Sequence, residues 1–509
     1  MFYPLTVNDF VDRAEHVYPD RIAVVDEADQ PAPGLGKLTY REFAVLVSAQ
    51  AARLDQLGVP VGGRVAVISQ NSARLLTSFF GVSGWGRILV PINFRLSATE
   101  IGYIVGHSGA EVVFADPSLK GVLDQLDVPH KFVLGDDDAM YLRDVEPRGW
   151  DQPDERATAT INYTSGTTAR PKGVQLTHRN LWLNATTFGL HLTIGDRDVL
   201  LHTLPMFHAN GWGMPYAVTG VGGRHIVLRQ VDGAEILRRI DEHGVTLMCA
   251  APAVVNAALD AAAGWDGPIP GRGRVRIVVA GAPPPTRTIE RVMTDLGWEF
   301  CQIYGLTETS PLVTVNRLRA EWDDLPTHEQ AQRLGRAGGP ALGVRVDADA
   351  DGEVITASNH NLDGYWEQPD ETAKAQAGHW FHTGDGGYLD DDGYLVISDR
   401  KKDVIISGGE NVSSIEVEDV LTSHPAVREV AVIGIPDDKW GELVTGLVVT
   451  DGSAVTTDDL IAHCRQELAG FKCPKRIEFV ESLPRTATGK LQKFKLREPF
   501  WAGHDRQVG

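Results

Sequence analysis

The chain has 509 residues, 43% hydrophobic and 23% charged, with 48 Lys and Arg against 68 Asp and Glu for a net charge of −20. That length exceeds one ordinary core and suits roughly two to four domains, in a composition typical of soluble globular chains. The acidic balance argues against a nucleic-acid or anionic-membrane binder, and no apolar run approaches the ~20 residues of a membrane span.

The first ten residues, Met1 to Phe10, lack the basic-then-apolar order of a signal peptide. Cys249, Cys301, Cys464 and Cys473 are scattered, with no CxxC pair and no His cluster at zinc spacing. A reducing cytoplasm fits, and Cys249 and Cys301, in apolar strand-like runs, read as core residues.

Short β-branched runs alternate with amphipathic stretches. A helix is expected over Tyr40–Gly58, with Thr39 as N-cap, Glu42 completing a capping box and Gly58 ending it. Residues 64–69, 87–92, 110–115 and 276–281 read as buried strands. The alternation predicts an α/β fold class with layered, mainly parallel sheets in a large N-terminal domain.

The loop Tyr163–Val174 carries four hydroxyls (Thr164, Ser165, Thr167, Thr168), Gly166, Gly173, Arg170 and Lys172. Backbone N–H groups approach an anion where no Cβ intrudes, so the loop suits a polyphosphate; read alone, it also suits a polar turn. It lacks the Walker spacing. Further on, His208 lies in an aromatic-rich segment with Trp212, Met214 and Tyr216, where a packed core histidine is the plain alternative.

Ala280–Pro285 is a rigid loop after a buried strand, a place where α/β proteins bind ligands. Tyr304–Thr309 follows the strand expected at Glu299–Ile303 and sets an aromatic ring, two hydroxyls and a carboxylate together. From Gly343 short strands punctuated by Gly, Asp and Tyr predict a smaller antiparallel or barrel-like unit, with Asp385 after a tight turn. The charged run Asp399–Asp403 reads as a linker. An α/β rhythm then resumes with a helix at Ser414–Ser423, strands at Val427–Ile435 and Leu443–Thr450, and a helix at Thr457–Leu468. Lys490 ends a flexible turn within a locally basic stretch between Gly470 and Glu498.

In this order, the segments resemble the adenylate-forming superfamily of acyl-CoA synthetases, nonribosomal adenylation domains and luciferases. The resemblance runs from Leu5 to Glu498, and Leu204–Trp212 and Gly408–Glu418 look most like acyl-CoA synthetases of aliphatic acids. It implies a large domain over 1–399 with a β-barrel-like subdomain, a hinge at 400–403 including Lys402, and a small mobile α+β domain over 404–509. It also implies that Thr164, Ser165, Gly166, Thr167, Thr168 and Lys172 grip the β- and γ-phosphates of ATP. Tyr304 and Gly305 would face adenine beside Gly281, Ala282 and Pro283. Glu308 would hold Mg²⁺, Thr307 the α-phosphate, and Asp385 with Arg400 the ribose hydroxyls. His208 would sit at the acyl pocket, Lys490 between substrate carboxylate and α-phosphate, and Ser407, Gly408 and Gly409 beside pantetheine.

One departure stands in the phosphate loop, where Ala169 replaces a usual glycine ahead of Arg170. The implied reaction is ATP-dependent adenylation of a medium- or long-chain aliphatic acid, then transfer to CoA, with the basic stretch suited to CoA phosphates. Transfer to a free amine and a non-catalytic nucleotide-binding role are the alternatives. Expected partners are the acid, ATP and CoA or an amine, with no nucleic acid; a homodimer is the assembly considered.

Overall fold

A computed structural model describes residues 1–136, 138–164, 171–281, 284–400, 403–407, 410–437, 439–486 and 491–502, with backbone alone at 399–400. Ser165, Gly166, Thr167, Thr168, Ala169, Arg170, Ala282, Pro283, Lys402, Gly408, Gly409 and Lys490 therefore lie outside the described residues.

The helix that opens the first layer runs Tyr40–Gln56, shorter at its end than the glycine suggested, with the Thr39–Glu42 capping box formed. Leu57 rather than Gly58 closes it. Comparable boxes start the helices at Ala98–Ser108 and Thr457–Glu467, where Ser97 and Thr456 satisfy N–H groups that the helix leaves unpaired. The strands Ile88–Ile92 and Val112–Ala115 are buried along their whole length. A strand buried on both faces needs helices above and below it, which is the condition for a parallel sheet.

Two such sheets form the large domain. One has nine strands, with Glu299–Tyr304, Arg276–Val279, Leu247–Ala250, Val199–His202, Arg224–Val227 and Ile22–Val25 in parallel succession. The other has seven, with Thr158–Thr164, Ile88–Ile92, Arg64–Ile68, Val112–Ala115 and His130–Val133 in parallel succession. Buried Asn71 joins them. Its amide nitrogen lies 3.0, 3.0 and 3.1 Å from the carbonyls of His202, Leu204 and Leu228, and its oxygen accepts the Met206 N–H at 2.8 Å. The segment leading to His208 is thereby held at the end of its strand.

The antiparallel unit expected from Gly343 is a four-stranded sheet of Arg345–Ala348, Glu353–Ala357, Phe381–Leu389 and Leu395–Arg400. A fourth, five-stranded sheet carries the small domain, where the helix Ser414–Ser423 and the long hairpin of Val427–Asp437 and Gly441–Thr450 match or extend the expected elements. All four cysteines are free and buried. Among the described residues no helix is long and apolar enough to cross a membrane.

His178 and His225 are wholly buried, and burial pushes both imidazoles down to about 3. His225 accepts or donates on both nitrogens, 3.0 Å from His202 Nε2 and 3.0 Å from Thr219 Oγ1. An unfolded histidine titrates near ~6.5, so below that pH the unfolded chain binds protons that the native chain refuses. The stabilisation is complete above the unfolded value and is lost as pH falls from there toward 3. Each residue should cost about 1.4 kcal/mol per pH unit in that window. Denaturant unfolding at pH 7, 6 and 5 checks this: His225→Gln should flatten the slope by about one proton, and an unchanged slope contradicts it.

Candidate functional site

Four strand ends converge on the site. Thr158–Thr164 and Lys172–Thr177 form the two arms of the expected phosphate loop, with Thr164 opposite Lys172 in register. Gly173 is required by packing, since a Cβ there would stand 2.9 Å from Ile161, 3.1 Å from Tyr163 and 3.2 Å from Trp366. The strand Arg276–Val279 delivers Gly281, whose φ of 98° suits glycine. The strand Glu299–Tyr304 runs one residue further than expected, so Tyr304 is its last member, and Thr307–Thr309 follows as a single 3₁₀ turn.

Tyr304 and Asp385 meet directly. The Tyr304 hydroxyl donates to Asp385 Oδ2 at 2.8 Å, although 81 residues separate the two. Asp385 is buried at 7% exposure and stands opposite Arg400 on the neighbouring strand, where only the backbone of Arg400 is described. The expected adenine-side ring and ribose-side carboxylate thus share one edge.

Glu308 sits in the turn after Tyr304, and its Oε1 accepts the Tyr365 hydroxyl at 3.1 Å. The Leu362 N–H donates to the Glu308 carbonyl at 2.7 Å, which pins the turn from the same side. Lys172 Nζ lies 5.0 Å from the centre of the Tyr365 ring and pairs with Glu371. That contact holds the Glu371 carboxyl below its usual range, first through the hydrogen bond from Lys172 and then through its charge. The Tyr365 phenol is pushed up, mainly by burial and then by the Glu308 carboxylate. Tyr365 therefore bridges the lysine of the phosphate loop and the carboxylate expected to hold a cation. A half-exposed carboxylate near the loop expected to hold phosphates fits Mg²⁺, which commonly takes one or two protein carboxylates and fills the rest from phosphate and water.

Sequence reasoning missed Tyr365 and Glu371. The strand Gly364–Tyr365 pairs antiparallel with Lys172–Thr177, placing Tyr365 opposite Val174. The only sequence signal was an aromatic pair, Tyr365 and Trp366, ahead of the helix-starting Pro369.

His208 is half-buried at the start of an unusual run of left-handed backbone, with φ positive at Ala209, Asn210, Gly211, Trp212 and Gly213. Its carbonyl accepts the Gly211 N–H at 2.9 Å, closing the turn. Strain of this kind persists where surroundings impose it. Here Trp212, Met214 and Tyr216 are all buried and Asn210 donates to Thr160 Oγ1 at 3.1 Å.

In the small domain Ser407 is buried and pairs with Glu410 and Gly441. The basic excess between 470 and 498 is largely neutralised from elsewhere in the fold. Lys472 pairs with Glu416 at 2.7 Å, Arg485 with Glu429 at 2.7 Å, Lys493 with Glu418 at 2.8 Å and Arg497 with Asp403. The stretch is thus less of an anion surface than its linear charge implied. The helix Ser414–Ser423 docks on the large domain through Asp419, which accepts from the Thr286 N–H at 2.8 Å and its hydroxyl at 3.1 Å.

The AMP-binding enzyme family matches residues 11–366, and the AMP-binding enzyme C-terminal domain matches residues 416–490. A 4-hydroxybutyrate–CoA ligase of Metallosphaera sedula is 38% identical, the alignment covering 96% of this chain and 93% of that protein. A 2-methylpropanoate–CoA ligase of Humulus lupulus is 36% identical over 97% of this chain and 95% of its own. The crystal structure of an anthranilate CoA ligase in complex with anthranoyl-AMP superposes with a TM-score of 0.86 at 26% identity, covering 98% of each chain.

Gly305 sets the position of the Thr307–Glu308 turn, because a Cβ there would stand 1.5 Å from the Pro311 carbonyl oxygen. Backbone cannot yield that far without moving the turn. Gly305→Ala should lose about 3 kcal/mol of stability in denaturant unfolding, and a variant as stable as the parent contradicts the packing argument.

Proposed function

The chain belongs to the AMP-binding enzyme family, and from that premise we propose that it is an AMP-forming acyl-CoA ligase using the site just described. The observation that supports this most is the Tyr304–Asp385 hydrogen bond, which sets a base-stacking ring beside a diol-binding carboxylate.

In this reading Tyr304, Gly305 and Gly281 receive adenine, and Asp385 with Arg400 holds the ribose hydroxyls. Thr164, Ser165, Gly166, Thr167, Thr168 and Lys172 hold the β- and γ-phosphates. Lys172 exchanges Glu371 for the nucleotide, one anion for another. Mg²⁺, when bound through Glu308, supplies positive charge that lowers the repulsion among phosphate oxygens. Thr307 contacts the α-phosphate. Lys490 offsets the repulsion as the carboxylate oxygen forms its bond to the α-phosphorus and the bond to pyrophosphate breaks. The CoA thiol then attacks the acyl carbonyl, the acyl–phosphate bond breaks, AMP leaves and the thiol proton passes to solvent.

Both steps use one site, so the small domain turns about residues 400–403, with Lys402 at the hinge. Residues 1–399 are then the large domain and 404–509 the small one. The Asp419–Thr286 contact belongs to one orientation and breaks in the other. Ser407, Gly408 and Gly409 face the pantetheine arm in the second.

The acid is aliphatic, with His208 at the mouth of its pocket. Two relatives act by name on four-carbon aliphatic acids. Those names support a short chain ahead of the medium or long one expected from sequence.

Pyrophosphate release across C2 to C16 acids and benzoates, followed by addition of CoA or amines, tests the reading. Short aliphatic acids should turn over and yield a thioester. Turnover of aromatic acids alone overturns the substrate, and hydroxamate-trapped adenylate without a thioester overturns the acceptor in favour of an amine. Lys490→Ala should slow adenylation about 100-fold or more while ATP affinity changes little.

A further inference from the structure

The strand pairing around Asp385 is irregular in an informative way. Glu353 stands opposite Gly386 and Ile355 opposite His382, so the single residue Val354 faces three, Thr383, Gly384 and Asp385. The strand Phe381–Leu389 therefore bulges outward by two residues where it carries the ribose-side carboxylate. Bulges of this sort re-aim a side chain and leave backbone groups without ladder partners.

Two side chains take those groups. The Gly384 N–H donates to Glu353 Oε1 at 2.8 Å, and the Asp385 N–H donates to Thr383 Oγ1 at 3.1 Å, whose own hydroxyl donates to the Val354 carbonyl at 2.7 Å. Gly384 has φ of 74°, the left-handed conformation that lets the chain turn there. Glu353 itself is held. Its Oε2 is 3.5 Å from His382 Nδ1, and its side chain is only 14% exposed. Its backbone N–H donates to Asp349 Oδ1 at 2.8 Å, in a turn where the Asp351 N–H donates to the same oxygen at 2.9 Å.

Asp349, Glu353 and His382 also bring ligand atoms within 4.8 Å of one another, a spacing a cation accepts. The hydrogen bonds just given already use Asp349 Oδ1 and Glu353 Oε1 to hold backbone, which favours an architectural role.

We propose that Glu353 is a positioning residue for nucleotide recognition: it locks the Thr383–Asp385 bulge so that the Asp385 carboxylate faces the ribose diol, with its other oxygen accepting from Tyr304. The inference rests on the assignment of Asp385 to the ribose. Glu353 touches no substrate in this scheme and acts only through the bulge.

The decisive measurement is the affinity of the full-length protein for ATP and for 2′,3′-dideoxy-ATP by calorimetry, since only the former offers the hydroxyls Asp385 would hold. Glu353→Ala should weaken ATP about tenfold and leave the dideoxy nucleotide within about twofold, shrinking the preference as Asp385→Ala does. Glu353→Gln, which keeps an amide oxygen for the Gly384 N–H, should retain most of the preference. Equal loss of both nucleotides in Glu353→Ala, or no loss of either, overturns the proposal while leaving Asp385 in place. If Asp385→Ala itself leaves the preference intact, the ribose assignment falls and the proposal falls with it.

Discussion

The Tyr304 hydroxyl bonded to Asp385 is the contact on which the site depends. It fastens the last residue of a parallel strand to the bulge of an antiparallel sheet, two elements that belong to different hydrogen-bond ladders. A buried carboxylate is tolerated where donors surround it. Here one donor is the tyrosine whose ring would receive the base under the proposed function, so the acid and the aromatic face are set by one geometry.

A second chain of contacts runs from Lys172 through the Tyr365 ring to Glu308. It places a cation, an aromatic face and a carboxylate in line along the path where phosphates and Mg²⁺ would lie. Glu371 meets the charge of Lys172 in the structure described. The pair is only half-buried, so solvent screens it, which suits an anion that a polyphosphate would displace under the proposed function. The small domain shows a related economy of charge: Lys472, Arg485, Lys493 and Arg497 each pair with a carboxylate from another segment, which lowers the net positive charge where the linear count suggested a patch.

Element type was legible because periodicity and capping are local. Thr39 with Glu42 announced a helix, and the fully apolar run at Ile88–Ile92 announced a strand buried on both faces. Element ends were less legible, as at Leu57 and Tyr304, because the last hydrogen bonds depend on what packs against them. Of the candidate site, Tyr304, Glu308, Asp385 and Lys172 stood out through residue type and motif order. Tyr365, Glu371 and Glu353 did not, since each acts through a partner that only strand pairing brings near.

The sequence by itself determined the inventory: a phosphate-suited loop, an aromatic–acid pair after a strand, a lone acid in a turn, and a lysine late in the chain. Those are properties of neighbours along the chain, where covalent spacing limits what a residue can do. Tertiary structure alone decided their aim. The two-residue bulge that turns Asp385 toward Tyr304 arises from the register between Glu353–Ala357 and Phe381–Leu389, and register is set by cross-strand packing that no local stretch encodes.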